Sequence, residues 1–225
     1  PAEIIGFKPR PLALSLYKEL ITDHIWSKNR YQYGFKNLEA HHLMTTFYGT
    51  PYIDIRVDFN SWIPHNLDEK ISKKLINFYL NKFKMNNHLH DKVEFKILFT
   101  CFTANTVSRL NRELKNNFSK NEIVKIKNSL IKINNIAYKA SFSDLSKIIE
   151  LKKRQMKLVK SKIYPLNKIY FLVEDCKKFG TLPFAGLARC GFIAIDILNS
   201  LVDTGIISLN DKNNYLNSIV NIASR

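Results

Sequence analysis

Apolar residues recur along this chain at two spacings, and the changes between them mark out its elements. From residue 12 to 30 the segment LALSLYKELITDHIWSKNR places Leu12, Leu16, Leu20, Ile21 and Ile25 at helical intervals. The texture then changes in HHLMTTFYGTPYIDIRVDFNSWIP, where Gly49-Thr50-Pro51 reads as a turn between two β-prone stretches and predicts a hairpin over about 43–59. The second strand of that hairpin alternates: Ile53, Ile55, Val57 and Phe59 fall on one side, Tyr52, Asp54, Arg56 and Asp58 on the other. A helical pattern returns from Asn66 to Asn86, with Asn66 or Asp68 as its N-cap. VEFKILFTCF, residues 93–102, predicts a third strand able to join the hairpin. The remainder reads as helices over roughly 105–117, 119–138, 143–160, 163–178, 182–204 and 208–222. The expected fold class is α+β, predominantly helical with a small antiparallel sheet. No internal repeat and no Gly/Ser linker divides the chain, so a single domain over 1–225 is expected.

Charge changes this picture less than its size suggests. Lysine and arginine number 35 against 19 acidic residues, a formal net charge of +16. Such an excess points to nucleic acid, an anionic membrane or an acidic partner domain. Here it is scattered through Lys- and Asn-rich helices such as KNEIVKIKNSLIKINN, the pattern of solvated faces. Eight of the 35 cations are arginine, and no basic face is interleaved with stacking aromatics, so a nucleic-acid-binding module is disfavoured. The three cysteines form no CxxC pair, which argues against a zinc site or a disulfide framework and for a reducing, cytoplasmic compartment. PAEIIGFKPRP is not a signal peptide, and the lack of an initial methionine suggests a piece of a longer protein. The apolar run from Leu182 to Val202 contains Arg189 and Asp196. It reads as a buried helix and not a membrane span, so no membrane partner is expected.

Phosphate loops, GxGxxG turns, HExxH helices and GxSxG elbows are all missing from the sequence. His41-His42 would point to opposite faces of a strand, and His88 and His90 lie in the loop-like MNNHLHDK, so no metal site is expected. Two stretches carry more chemistry. In YIDIRVDFN, Asp54, Arg56 and Asp58 share one strand face. A guanidinium there can fork onto a carboxylate while an aspartate takes an ammonium group, an arrangement suited to a zwitterionic amino acid. Cross-strand ion pairing at a solvated edge explains the same pattern. In GTLPFAGLAR, Thr181 reads as an N-cap and Pro183 as a first-turn proline, opening a helix whose exposed N–H groups favour an anion. Ala185, Gly186, Ala188, Gly191 and Ala194 then allow another backbone to approach. Arg189, Asp196 and Asp203 share a helix face at seven-residue intervals, about 10 Å apart and beyond direct pairing. They need partners on another element, or a ligand.

PAEIIGFKPRPLALSLYKELITD (1–23), FYGTPYIDIRVDFNSWIP (47–64) and FGTLPFAGLARCGFIAIDILNSLVD (179–203) resemble the middle region of the phosphotransferases related to phosphoenolpyruvate synthase and pyruvate phosphate dikinase. Within that superfamily the chain is most similar to the L-glutamine kinases of capsule phosphoramidate biosynthesis. The resemblance implies a multidomain enzyme in which an ATP-grasp domain binds ATP and Mg2+. A mobile phosphohistidine domain then carries the phosphoryl group to the side-chain amide nitrogen of L-glutamine, with AMP and phosphate released. This chain would be the substrate-binding middle domain, with no catalytic residue and no cofactor of its own and inactive in isolation; none of its histidines has the Gly/Ser/Thr-rich setting of the phosphoryl carrier. By their chemistry, Arg56 or Arg189 suits the glutamine carboxylate, Asp58 or Asp54 the ammonium group, and Tyr48, His42 or Thr181 the amide end. The lysine excess would help to dock an acidic, phosphorylated flanking domain. The alternative is a structural docking domain that only spaces its two neighbours.

Overall fold

A computed structural model describes residues 2–219. The N-terminal arm consists of α1 (Ala2–Ile5), α2 (Pro11–Tyr17) and a π-helical turn over Lys18–Thr22, and leads into α3 (Ile25–Gln32). A two-stranded antiparallel sheet follows, β1 (Met44–Phe47) and β2 (Thr50–Ile53), with Met44 opposite Ile53 and Phe47 opposite Thr50. The hairpin turns on Tyr48 and Gly49, both at positive φ (50° and 80°). That pair of conformations matches the twist of the flanking strands, and Pro51 lies within β2. The protein is thus predominantly helical α+β, as its periodicity predicts.

Two β-prone stretches depart from the expected sheet. The second strand stops at Ile53, because Asp54 caps a helix, α4 (Ile55–Ser61), by accepting from the Arg56 and Val57 amides at 2.9 and 3.1 Å. Once helical, Phe59 and the following Ile63 become fully buried, which satisfies the same apolar residues at a different period. Residues 93–102 form a short helix, α6 (Val93–Lys96), and then an irregular run that pairs with no strand among the described residues. Its backbone is satisfied by side chains from the helices around it. The Phe99 amide donates to Tyr79 Oη (3.2 Å). Asn134 brackets Phe102, accepting from its N–H (3.0 Å) and donating to its carbonyl (2.7 Å). Ser200 Oγ accepts from the Ala104 amide at 3.0 Å. Ile97, Leu98, Phe99, Thr100 and Cys101 are buried, so the backbone needs these partners in place of water.

Helices enclose this segment. Asp68 caps α5 (Glu69–Met85), bonding the Ile71 amide, and α7 (Thr106–Leu114) follows the irregular run. Ser119 and Glu122 form a reciprocal capping box at the start of α8 (Lys120–Lys160). The break expected near 138–143 is not there. No proline or glycine interrupts that stretch, and Ser141 and Ser146 turn their hydroxyls back onto the carbonyls of Tyr138 and Phe142. The helix therefore runs 41 residues, about 60 Å by the α-helical rise. It packs against α9 (Pro165–Asp175) and α10 (Leu182–Asp203), which a π-helical stretch over Cys176–Thr181 joins into one continuous run. The core gathers Tyr33, Phe35, Phe59, Leu75, Tyr79 and Ile97 with Leu110, Ile126 and Ile133. Helix α11 (Leu209–Ser218) closes the described chain; the end of the helix expected over 208–222 lies outside the described residues.

By length and composition, the run from Pro165 to Asp203 is long and apolar enough to cross a membrane, and 28% of its most apolar window is buried. The expectation of a buried helix holds for one face, where Leu182, Pro183, Gly186, Arg189, Ile193 and Ser200 are buried; Phe184 and Phe192 are exposed.

Candidate functional site

The stretch GTLPFAGLAR begins no helix. Thr181 has helical φ and ψ (−59°, −44°) and makes no capping bond, so the N–H groups that follow it do not form an open anion-binding end. Pro183 sits inside the run, where its ring would crowd the carbonyl of Phe179 in a regular α-helix; the π-helical widening just upstream accommodates it. Thr181 makes one weak contact, to Cys176 Sγ at 3.9 Å.

Farther along α10, the seven-residue face resolves completely. Arg189 Nη2 donates to the Thr100 carbonyl at 2.6 Å, and Nη1 forms an ion pair with Glu94. Asp196 accepts from the Cys101 thiol (3.5 Å), and Asp203 from Asn105 Nδ2 (3.0 Å). Glu94, Thr100 and Cys101 lie on the segment expected to be a strand and Asn105 just beyond it, so this face of α10 clamps residues 94–105 in place.

Gly186 has the second specific role. A Cβ there would run into the Asp144 carboxylate and the Tyr33 ring, so its absence lets α10 close onto α3 and α8. The Tyr33 hydroxyl donates to buried Asp144 at 2.8 Å, and Lys147 holds the other carboxylate oxygen at 3.1 Å. Burial, reinforced by the Asp144 hydrogen bond, pushes the Tyr33 phenol well above its usual range and keeps it a donor.

These contacts border a cavity of about 250 Å³ between α3, the Trp62 corner after α4, α6 and α10. Two guanidiniums flank it, Arg189 buried and Arg30 half-buried. Arg30 pairs with Asp58 at 2.7 Å and contacts the Ser61 hydroxyl, while Arg189 is 6% exposed. The Trp62 indole lies against both, 4.0 Å from the Arg30 guanidinium carbon and 4.8 Å from that of Arg189. Burial lowers the pKa of each. Arg189, pushed down further by Arg30 and opposed by Asp196, falls to about 9 and stays charged at neutral pH. Two donors lining the cavity, Arg189 Nε and Trp26 Nε1, are buried without a hydrogen-bond partner among the described residues. An oxyanion in the cavity offers acceptors for both. Half-buried Glu94 and exposed Phe192 also line it.

Of the residues singled out in the sequence, Arg189 lines this cavity and Asp58 stands behind it, occupied by Arg30. The others lie elsewhere. Asp54 is consumed as a helix cap, and Arg56 projects from α4 into a shallow surface depression with Asn77 and Lys84. The single face proposed for Asp54, Arg56 and Asp58 does not exist, because they span a cap and a helix and not a strand. Tyr48 is fully exposed at the hairpin tip, and His42, also exposed, lies 3.7 Å from Asp23. Arg30, Trp26, Trp62 and Glu94 carried no signal in the sequence analysis; an arginine one helical turn from a tryptophan was the available hint. No family model, curated protein or solved structure matches the chain.

Proposed function

We propose that this chain is the acceptor-binding domain of an ATP-dependent phosphotransferase, and that the cavity between Arg30 and Arg189 holds an α-amino acid, L-glutamine in the reading the sequence resemblance suggests. The observation that carries it is the convergence of two guanidiniums, Arg189 buried and Arg30 half-buried, on one small cavity where two buried donors, Arg189 Nε and Trp26 Nε1, lack a partner among the described residues. At ~30 Å³ per water, 250 Å³ corresponds to about eight waters, which suits a ligand of amino-acid size.

In this reading the carboxylate bridges Arg189 Nε and Trp26 Nε1. Glu94 and the indole faces receive the ammonium group, which leaves the side-chain amide directed outward. An amide nitrogen is a weak nucleophile, so the domain's contribution is to hold it still and in line with the incoming phosphoryl group. That group would arrive on a phosphohistidine of a flanking domain. ATP and Mg2+ belong, in this proposal, to a flanking ATP-grasp domain.

Titration calorimetry of the chain with L-glutamine tests the reading. Binding at millimolar ligand or tighter is expected. It should be lost both with an analogue lacking the α-carboxylate and in Arg189→Lys, which keeps a charge but not the guanidinium fork. A folded wild-type chain that takes up no glutamine at that concentration would leave only the spacer role between neighbouring domains.

A further inference from the structure

Away from the cavity, the hairpin that joins α8 to α9 has an unusual surface. Between Glu150 and Glu174 the sequence contains no acidic residue, and it holds six lysines and Arg154. From residue 152 to 171, every residue but Leu158, Ser161 and Lys168 is exposed, so this end of the hairpin projects from the body and packs no face against it. Two of the cations have internal work. Arg154 grips Asp175 at 2.7 and 3.0 Å, and Lys168 caps the end of α8 through the carbonyls of Val159 and Ser161. Lys152, Lys153, Lys157, Lys160 and Lys162 make no ion pair among the described residues. Large apolar side chains are exposed between them: Val159, Ile163, Tyr164, Leu166, Ile169 and Tyr170, on both helices and on the turn.

We infer that the end of this hairpin, residues 152–171, is a peripheral contact for an anionic lipid bilayer. The charge is of one sign, which selects an anionic surface and disfavours self-association of two such ends. Exposed aliphatic groups gain nothing on a nucleic-acid backbone, whereas they and the two tyrosines fit the headgroup–acyl boundary. Apolar groups on all sides of a projecting end would require a protein partner to supply a matching socket, while a fluid bilayer conforms to it. The lysine stems lie along the apolar surface and place their ammonium groups at phosphate level. This reverses the sequence-level expectation of no membrane partner, which weighed spanning segments and the overall basic excess.

Cosedimentation of the whole chain with extruded phosphatidylcholine vesicles, with and without about 30 mol % phosphatidylglycerol, provides the test. Binding to the anionic vesicles alone, weakened by salt, is expected. The triple variant Lys157→Gln/Lys160→Gln/Lys162→Gln should partition about 100-fold more weakly, at roughly fivefold per lysine. Ile163→Ser/Tyr164→Ser/Leu166→Ser should also weaken binding, by at least about tenfold, since its side chains no longer enter the boundary. Both sets are exposed, and matched thermal melts establish that each variant folds. A chain that stays in the supernatant, or binds neutral vesicles equally, overturns the inference. So does a serine variant that binds like wild type, which would reduce the effect to general attraction for polyanions.

Discussion

Gly186→Ala and Gly191→Ala change the same residue type in the same helix, and the structure predicts opposite signs for them. Helix propensity alone favours alanine over glycine by about 1 kcal/mol at an interior position. At Gly191 a new Cβ meets nothing within 4 Å, so that gain is expected nearly intact. At Gly186 the methyl would strike the Asp144 carboxylate and the Tyr33 ring, whose Cε2 would be 2.8 Å away. Overpacking of this kind costs about 1–3 kcal/mol. Moving the ring also disrupts the buried Tyr33–Asp144 hydrogen bond, which as a charge-assisted bond is worth about 1.5–3 kcal/mol. Set against the propensity gain, Gly186→Ala should lose about 1.5–5 kcal/mol. Urea unfolding followed by circular dichroism measures both changes, and Tyr33→Phe in the Gly186→Ala background should recover part of the loss through coupling. If Gly186→Ala proves as stable as wild type, α10 does not close on Tyr33 and Asp144 as described, and the wall of the cavity they support is wrong with it.

Other expectations follow from contacts already described. Asn134→Ala leaves the Phe102 amide and carbonyl without partners, so a loss of about 2–6 kcal/mol is expected in urea unfolding, at about 1–3 per orphaned group. Ser119→Ala removes the side-chain acceptor of the α8 capping box and should cost about 1 kcal/mol in the same assay. Lys74 and the Ser119 amide hold Glu122 below its ordinary pKa, so the folded state binds its proton less readily than the unfolded chain. The stabilisation is complete above the ordinary glutamate range and is lost as pH falls through the lowered value; thermal melts should decline below about pH 5, and Glu122→Gln should flatten that decline.

The proposed acceptor cavity and the basic hairpin end lie on different parts of α8–α10, so their tests are independent. A chain that binds glutamine but no vesicles, or the reverse, would retain one reading and remove the other.

Much of the helical architecture was legible because its signals are local. Asp68 and Ser119 announce their helices by short-range capping chemistry, and the apolar residues of 69–85 repeat at a period that one helix face must bury. Gly49 likewise marked the hairpin, although Tyr48 shares its turn and Pro51 falls in the strand. Residues 55–59 and 97–101 could not be assigned from their own pattern. β-branched and aromatic residues lean towards strand by about 1 kcal/mol at most, a preference that the partners standing nearby override. For 97–103 those partners are Tyr79, Asn134 and Arg189, each distant in sequence, and they replace a neighbouring strand with side chains. The site follows the same rule. From the sequence, Arg189 stood out as a charge that needed a partner. That it shares an indole with Arg30, pairs with Glu94 and keeps one donor unsatisfied beside a cavity was decided only when α3, α6 and α10 met. Burial is a property of that meeting, and burial is what turns an ordinary arginine into one that would favour a bound anion.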